Sequence, residues 1–369
     1  MTSNELKTWK GVDLDEMRQL GDPLFDEPIA NRMEQDPEFW GQLHELLVHR
    51  RDLSVHAPIE MESLPPIDPE EVLAGQRVFE EHGPEILMTL CCYSLPAAFA
   101  AANGAQVLSA TGYITMQTNR RLWETTQMVV DVMTEGGLDG PDAKGMKTAG
   151  MVRQLHAAVR QLLLSHPSKK WDAKQLGTPI NQEDMAGTLM TFSWLIIEGL
   201  RKIHIHLTPE EEQSYLNAWR AIGREMGVVD ELIPATVDEA EQLTNIIMRR
   251  QVHKSEEGAL MTGAVLDWMR GQAPMFFKGF PAVLMRHFLP KQVANDLDVP
   301  RWTPEHILVD IFLGLLAFVD HKVTDTSSHR TMVRNFSIHV LNAWLAAKVK
   351  GPTEYQLGDE LMRKWEVAE

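Results

Sequence analysis

Apolar residues along this chain follow helical rather than strand spacing, and the apolar segments are repeatedly introduced by helix-capping chemistry. Asp68-Pro-Glu-Glu71, Thr208-Pro-Glu-Glu211 and Thr236-Val-Asp-Glu239 each offer a capping oxygen, followed three residues later by an acid that can reach back to free backbone N–H groups. Thr303-Pro-Glu-His306 and Asn181-Gln-Glu-Asp184 read as similar starts. No alternating run of β-branched residues lies between turn residues, so the pattern predicts an all-α fold.

The two most apolar stretches, residues 185–200 and 307–319, carry Glu198 and Asp310 respectively, and read as buried core helices rather than membrane spans. Four prolines between residues 57 and 69 divide an N-terminal arm, with Phe39, Trp40, Leu43, Leu46 and Leu47 on an expected helix, from the main body. The expected organisation is therefore an arm over residues 1–65 packing on one globular helical domain over 66–369. Gly136-Gly-Leu-Asp-Gly-Pro141 breaks the chain between two helices, and Thr178-Pro179 and Leu289-Pro290 mark further connections. No repeat or low-complexity segment is read.

Composition changes the picture mainly by exclusion. The 369 residues are 44% hydrophobic and 24% charged, ordinary for a globular chain with a large core. With 35 Lys+Arg against 52 Asp+Glu the formal charge is −17, which repels phosphate backbones and anionic headgroups, so neither nucleic acid nor a membrane surface is an expected partner. The two cysteines, Cys91 and Cys92, are adjacent, which suits neither a structural disulfide nor a zinc site and points to a reducing, cytoplasmic setting. The N-terminus reads without a basic or apolar signal region. The glycines at 136, 137 and 140 follow a helix and lack a Lys-Ser/Thr pair, so they form no phosphate cradle, and no Gly-x-Ser-x-Gly elbow occurs. A di-iron carboxylate site needs Glu-x-x-His pairs, and no histidine here has glutamate three residues before it.

Two helical segments carry the candidate chemistry. In Arg121-Leu-Trp-Glu-Thr125, the guanidinium and hydroxyl four residues apart share a helix face. About thirty residues on, Val152-Arg-Gln-Leu-His156-Ala-Ala-Val159-Arg160 places an imidazole beside the apolar Leu155, Val159 and Leu163. Singly, each reads as structural, an exposed arginine, a helix-interior threonine and a satisfied histidine. Together they suggest a haem pocket with His156 ligating iron opposite Arg121 and Thr125. Glu45 and His49 read as an ion pair on a solvated face, and His204 and His206 as basic residues favoured at a helix C-terminus. Met185, Met190, Met261, Met269, Met275 and Met285 read as adaptable core filling that also suits a flexible apolar substrate.

These segments, with Asn181 to Trp194, Leu207 to Tyr215, Met226-Gly227 and Leu232-Ile-Pro234, resemble in order and spacing the latex clearing protein (rubber oxygenase) family and its wider group, which includes the endoplasmic-reticulum oxygenase of mycophenolic acid biosynthesis. The resemblance extends over about residues 70–243. It implies a globin-like helical core, with additional N- and C-terminal helices, binding haem b, with His156 as proximal iron ligand and Arg121 and Thr125 on the distal side. Arg153 and Arg160, bracketing the histidine, are further cofactor-binding candidates. The absence of Cys-x-x-Cys-His makes such a haem noncovalent. In that family O₂ attacks a carbon–carbon double bond of a polyisoprenoid, and an arginine and a threonine can stabilise and hold the developing charge on oxygen.

The chain departs from the family pattern in two places. Glu124 stands where those proteins carry a lysine before the distal threonine, and Gly104-Ala105-Gln106 where they carry an acid. Their twin-arginine signal is not read here. The expected function is a cytoplasmic haem b oxygenase acting with O₂ and an unidentified reductant on a hydrophobic alkene or isoprenoid. The alternatives are a haem hydroxylase or peroxygenase using Glu124 as proton shuttle, and a noncatalytic haem carrier or gas sensor.

Overall fold

The computed structural model describes residues 6–36, 69–110, 118–139, 143–165, 171–272 and 278–301. The expected helix at 39–47, the Glu45/His49 pair, the apolar stretch at 307–319, the Thr303 cap and Met275 lie outside these residues.

The described chain is helical except for one small antiparallel hairpin, β1 (Thr8–Trp9) with β2 (Val12–Asp13). It continues through α1 (Leu14–Met17) and α2 (Asp26–Gln35), then α3 (Pro69–Thr89), a π-helical turn (Leu90–Ser94), α4 (Leu95–Phe99) and α5 (Ala102–Ala110). The hairpin α6 (Thr118–Met133) and α7 (Lys144–Ser165) is followed by the short α8 (Ala173–Leu176), then α9 (Gln182–Phe192), α10 (Trp194–Lys202), α11 (Pro209–Glu225) and α12 (Val237–Gln251). The last described helices are α13 (Glu256–Gln272), α14 (Phe280–Phe288) and α15 (Lys291–Asp296).

Three of the expected caps form, and the expected Asp68 cap lies outside the described residues. Thr208 and Glu211 form a reciprocal capping box on α11, Thr236 caps α12, and the Asn181 side chain accepts from the Asp184 amide at the start of α9. The apolar stretch 185–200 divides into α9 and α10 at Ser193, whose amide and hydroxyl both donate to the Leu189 carbonyl and whose ψ of −81° turns the chain out of the helix. Two prolines account for the distortions early in the bundle. Pro84 sits inside α3 two residues after His82, whose φ of −115° is not helical. Pro96 cannot donate to the carbonyl of Cys92 and its ring crowds that oxygen. The turn before it widens so that the Leu95 amide reaches Leu90, and Cys91 and Cys92 are buried within it.

Packing centres on α3 and α11, which approach closely because Gly75 of α3 lies against the backbone of Ser214 and the Cβ of Ala218. One large apolar cluster joins these helices with α6, α9, α10, α12, α14 and α15. Among the described residues two smaller clusters stand apart from it, and α5 contributes to both. Ala105 meets Met261 of α13 and Phe99, whereas Val107 meets Val159 and Leu163 of α7.

Candidate functional site

The helices α6 and α7 form an antiparallel hairpin whose register is fixed at its closed end. Asp131, buried near the end of α6, accepts from Thr148 Oγ1 at 3.0 Å, from Lys144 Nζ at 3.0 Å and from Gln127 Nε2 at 2.7 Å. The turn is tight, because a Cβ at Gly137 or Gly145 would overlap the Asp131 carbonyl, and Gly136 adopts a φ of +77°. Lys144 and Thr148 precede His156 by twelve and eight residues. Counting equally back from Asp131 along α6, at the common rise of about 1.5 Å per residue, brings His156 level with residues 119–123. The hairpin therefore sets the histidine at the height of Arg121 and about a turn from Thr125.

His156 is half-buried and its Nδ1 is enclosed by protein, so a group ligated by this ring is met through Nε2. Thr125 and Glu124 are also half-buried, and Arg121 is placed by its backbone within α6. Adjacent threonines of α6 differ. Thr126 is fully buried and its hydroxyl donates to the Leu122 carbonyl at 2.9 Å, while among the described residues no hydrogen bond holds the hydroxyl of Thr125. The packing nearby is apolar: Leu155, Val159 and Leu163 of α7 pack with Val107 of α5, and α13, which carries Met261, Trp268 and Met269, packs on α4, α5 and α6.

Arg153 and Arg160 are both held by carboxylates of the N-terminal segment. Arg153 is buried, with Nε donating to Asp22 Oδ2 at 2.6 Å, Nη2 to Asp22 Oδ1 at 3.0 Å and Nη1 to the Glu225 carbonyl at 3.2 Å, and its guanidinium lies 4.6 Å from the Phe25 ring centre. Arg160 is fully buried and donates from Nε to Asp26 Oδ1 at 2.6 Å and from Nη1 to the Ile180 carbonyl at 2.9 Å. With protein carboxylates as partners, both arginines brace α7, and Arg160 Nη2 is buried without a hydrogen bond among the described residues. Asp22 and Asp26 were missed because they lie more than 120 residues away in sequence. The signal for them was Arg153 and Arg160 seven apart on one helix, since arginines buried on one face need carboxylate partners.

His204 and His206 follow the end of α10 with ring centres 6.4 Å apart, His204 in the left-handed region at φ +61°. Cys91 and Cys92 are free and buried, and burial pushes the Cys91 thiol up to about 12 and that of Cys92 upward as well, which disfavours a thiolate nucleophile. Among the described residues no three His, Cys, Asp or Glu side chains converge as a metal-ion site, and no helix is long and apolar enough to cross a membrane.

Residues 85–321, more than half the chain, match the model of the catalytic domain shared by the ER-bound oxygenases mpaB/B' and rubber oxygenase. The chain belongs to this family. Among curated proteins it is similar to the rubber oxygenase of Streptomyces sp. (strain K30), 27% identical over 148 residues, covering 40% of this chain and 36% of that protein. The aligned stretch thus spans about a third of the relative's length. The structure of latex clearing protein LCP in the closed state superposes with a TM-score of 0.73 at 18% identity, covering 94% of this chain and 98% of the other. That likeness carries the fold, a helical globin-like architecture.

The residues present fit a haem, which needs few protein donors because the macrocycle supplies four nitrogens of its own. A single imidazole with its Nδ1 enclosed by protein, beside apolar side chains and at the height of Arg121, meets that requirement.

Proposed function

We propose that this chain is a haem b-dependent oxygenase that uses O₂ on a hydrophobic alkene or isoprenoid-type substrate, cleaving the double bond to carbonyl fragments. The observation that carries the reading is the hairpin register, which brings His156 level with the start of α6, together with a Thr125 hydroxyl that no described residue holds. His156 would hold the haem through Nε2, and the haem when bound supplies the one-electron and O₂ chemistry that side chains lack. Arg121 contributes a permanent positive charge for negative charge developing on oxygen, and Thr125 a hydroxyl that can orient the same atom. The apolar residues of α5, α7 and α13 exclude water and offer an alkene a surface without competing hydrogen bonds. Adjacent, free cysteines support the cytoplasm as the compartment. An external electron donor is part of the proposal.

A second reading, hydroxylation or peroxide-driven oxidation, draws on Glu124, a half-buried carboxylate one residue from Thr125 that can hold or deliver a proton. The first experiment is a pyridine haemochrome assay and absorption spectrum of the wild type and of His156→Ala. Haem b near one per chain in the wild type, lost in the variant, supports the assignment. A wild type that haemin cannot reconstitute overturns it. Products from candidate alkenes under O₂ then separate the readings, carbonyl fragments marking cleavage, and an alcohol or epoxide of unchanged carbon count marking insertion. A persistent oxygen complex without product marks a carrier or sensor.

A further inference from the structure

We propose that Asp22 and Asp26, in the N-terminal segment, are positioning residues for His156, acting through Arg153 and Arg160. This rests on the haem reading above and goes beyond it in naming what sets the histidine's orientation. Arg153 lies three residues before His156 and Arg160 four after. At about 100° per residue they stand roughly 60° and 40° around the helix from the histidine, one turn to either side of it. Two buried pairs on one stripe, bracketing the ligand along the axis, fix both the rotation and the advance of α7.

The clamp is built from a segment that is itself held. The Asp22 amide donates to Asp26 Oδ2 at 2.9 Å, so the two carboxylates are coupled. Gln182 donates from its backbone to the Leu20 carbonyl at 2.9 Å and from Nε2 to the carbonyls of Gly21 at 2.7 Å and Gly227 at 2.9 Å. Arg18 pairs with Glu183 and Asp184, and Arg250 of α12 pairs with Glu183 and Asp15. Two glycines leave room for the pairs. A Cβ on Gly21 would fall 2.2 Å from Asp26 Oδ2, and one on Gly227 would fall 2.6 Å from Asp22 Oδ2. The path from α9 and α12 through the N-terminal segment to α7 is thus continuous, hydrogen-bonded and largely buried. Ligand constellations work only when supported to within about 0.5 Å. Outer partners of metal-ligating residues commonly change affinity about 10–100-fold when lost.

The test compares Asp22→Asn and Asp26→Asn with Arg250→Gln, which cuts another tie of the same segment without touching α7. For each purified protein one measures apoprotein Tm, the rate of haem loss to excess apomyoglobin, and the ferric absorption and EPR spectra. The expected result is at least tenfold faster haem loss and a changed ferric spectrum in both aspartate variants, with Arg250→Gln lowering Tm but keeping wild-type haem loss and spectrum. Haem loss that tracks Tm across all three variants, or that changes in none, overturns the positioning role. If Asp22→Asn does not fold, Asp26→Asn, at the less buried pair, decides the question by the same criteria. A wild type that takes up no haem overturns the oxygenase reading first and the positioning role with it. Wild-type uptake with unaltered aspartate variants removes the positioning role alone.

Discussion

The two sides of α7 are built on opposite principles. Towards the N-terminal segment it presents buried guanidiniums whose bonds run to carboxylates and carbonyls. Towards α5 it presents Leu155, Val159 and Leu163, apolar and incapable of hydrogen bonding, and across the hairpin on α6 lies a threonine hydroxyl that no described residue holds. His156 stands between the two stripes. The ion-paired side resists movement, because each charge removed from it strands a buried partner. The other side can exchange what it touches at little cost, as a ligand site requires.

The largest expected effect is on the ion-paired side. Asp22→Ala leaves the Arg153 guanidinium buried without its bidentate carboxylate, a change expected to cost about 3–5 kcal/mol. Against a total stability of about 5–15 kcal/mol, urea unfolding should show a large drop in midpoint, and an unchanged midpoint would mean that the two sides of α7 do not differ in this way. Gly227→Ala is expected to come next. Its φ of +85° disfavours any Cβ by about 1–2 kcal/mol, and that Cβ would also press on Asp22 Oδ2 and Arg153 Nε. Gly136→Ala has a similar φ but open space around it, so it should show only the backbone cost, and equal midpoints for the two variants would argue against the clamp.

The N-terminal segment also carries a pH dependence, through Asp184 of α9, the partner of Arg18. Burial raises Asp184 to about 6, with Glu183 raising it further and Arg18 and Asn181 opposing. Because the folded pKa exceeds the unfolded one, the folded protein keeps a proton that the unfolded chain has already released between about pH 4 and 6. Stability from this group is therefore fully present below about pH 4 and declines as pH rises through 6. Asp184→Asn should flatten that part of the stability profile. A profile that keeps the wild-type slope across this window would mean that another group is responsible.

The helical class, the caps at Thr208, Thr236 and Asn181, and the hairpin break at Gly136 were legible because they depend on neighbours within a few residues. The positions of Arg121, Thr125 and His156 on facing helices were legible as a spaced pattern. The partners of Arg153 and Arg160 were not, since an arginine near a histidine reads equally as an anion ligand or a buried brace. Only the fold shows that Asp22 and Asp26 pair with them. The division of residues 185–200 at Ser193 was hidden for a related reason. A serine inside an apolar run gives no sign of whether its hydroxyl will face a neighbour or bond back to its own helix, as it does to Leu189.

The smallest expected change in stability is also the sharpest test of the open side. Thr125 and Thr126 are neighbours on α6, and valine replaces either with nearly the same shape. Thr126→Val removes a buried hydroxyl that bonds the Leu122 carbonyl, and should cost up to about 1 kcal/mol with turnover retained. Thr125→Val removes a hydroxyl that no described residue holds, so the unfolding midpoint should stay within about 0.5 kcal/mol of wild type. If that hydroxyl orients oxygen during the reaction, turnover of a cleaved alkene should fall by roughly 10²-fold while haem content is unchanged. Full turnover in Thr125→Val would remove it from the mechanism and leave His156 and Arg121 to account for the site. A stability loss at Thr125 instead of Thr126 would mean that the contrast between the two sides of the hairpin has been drawn at the wrong residue.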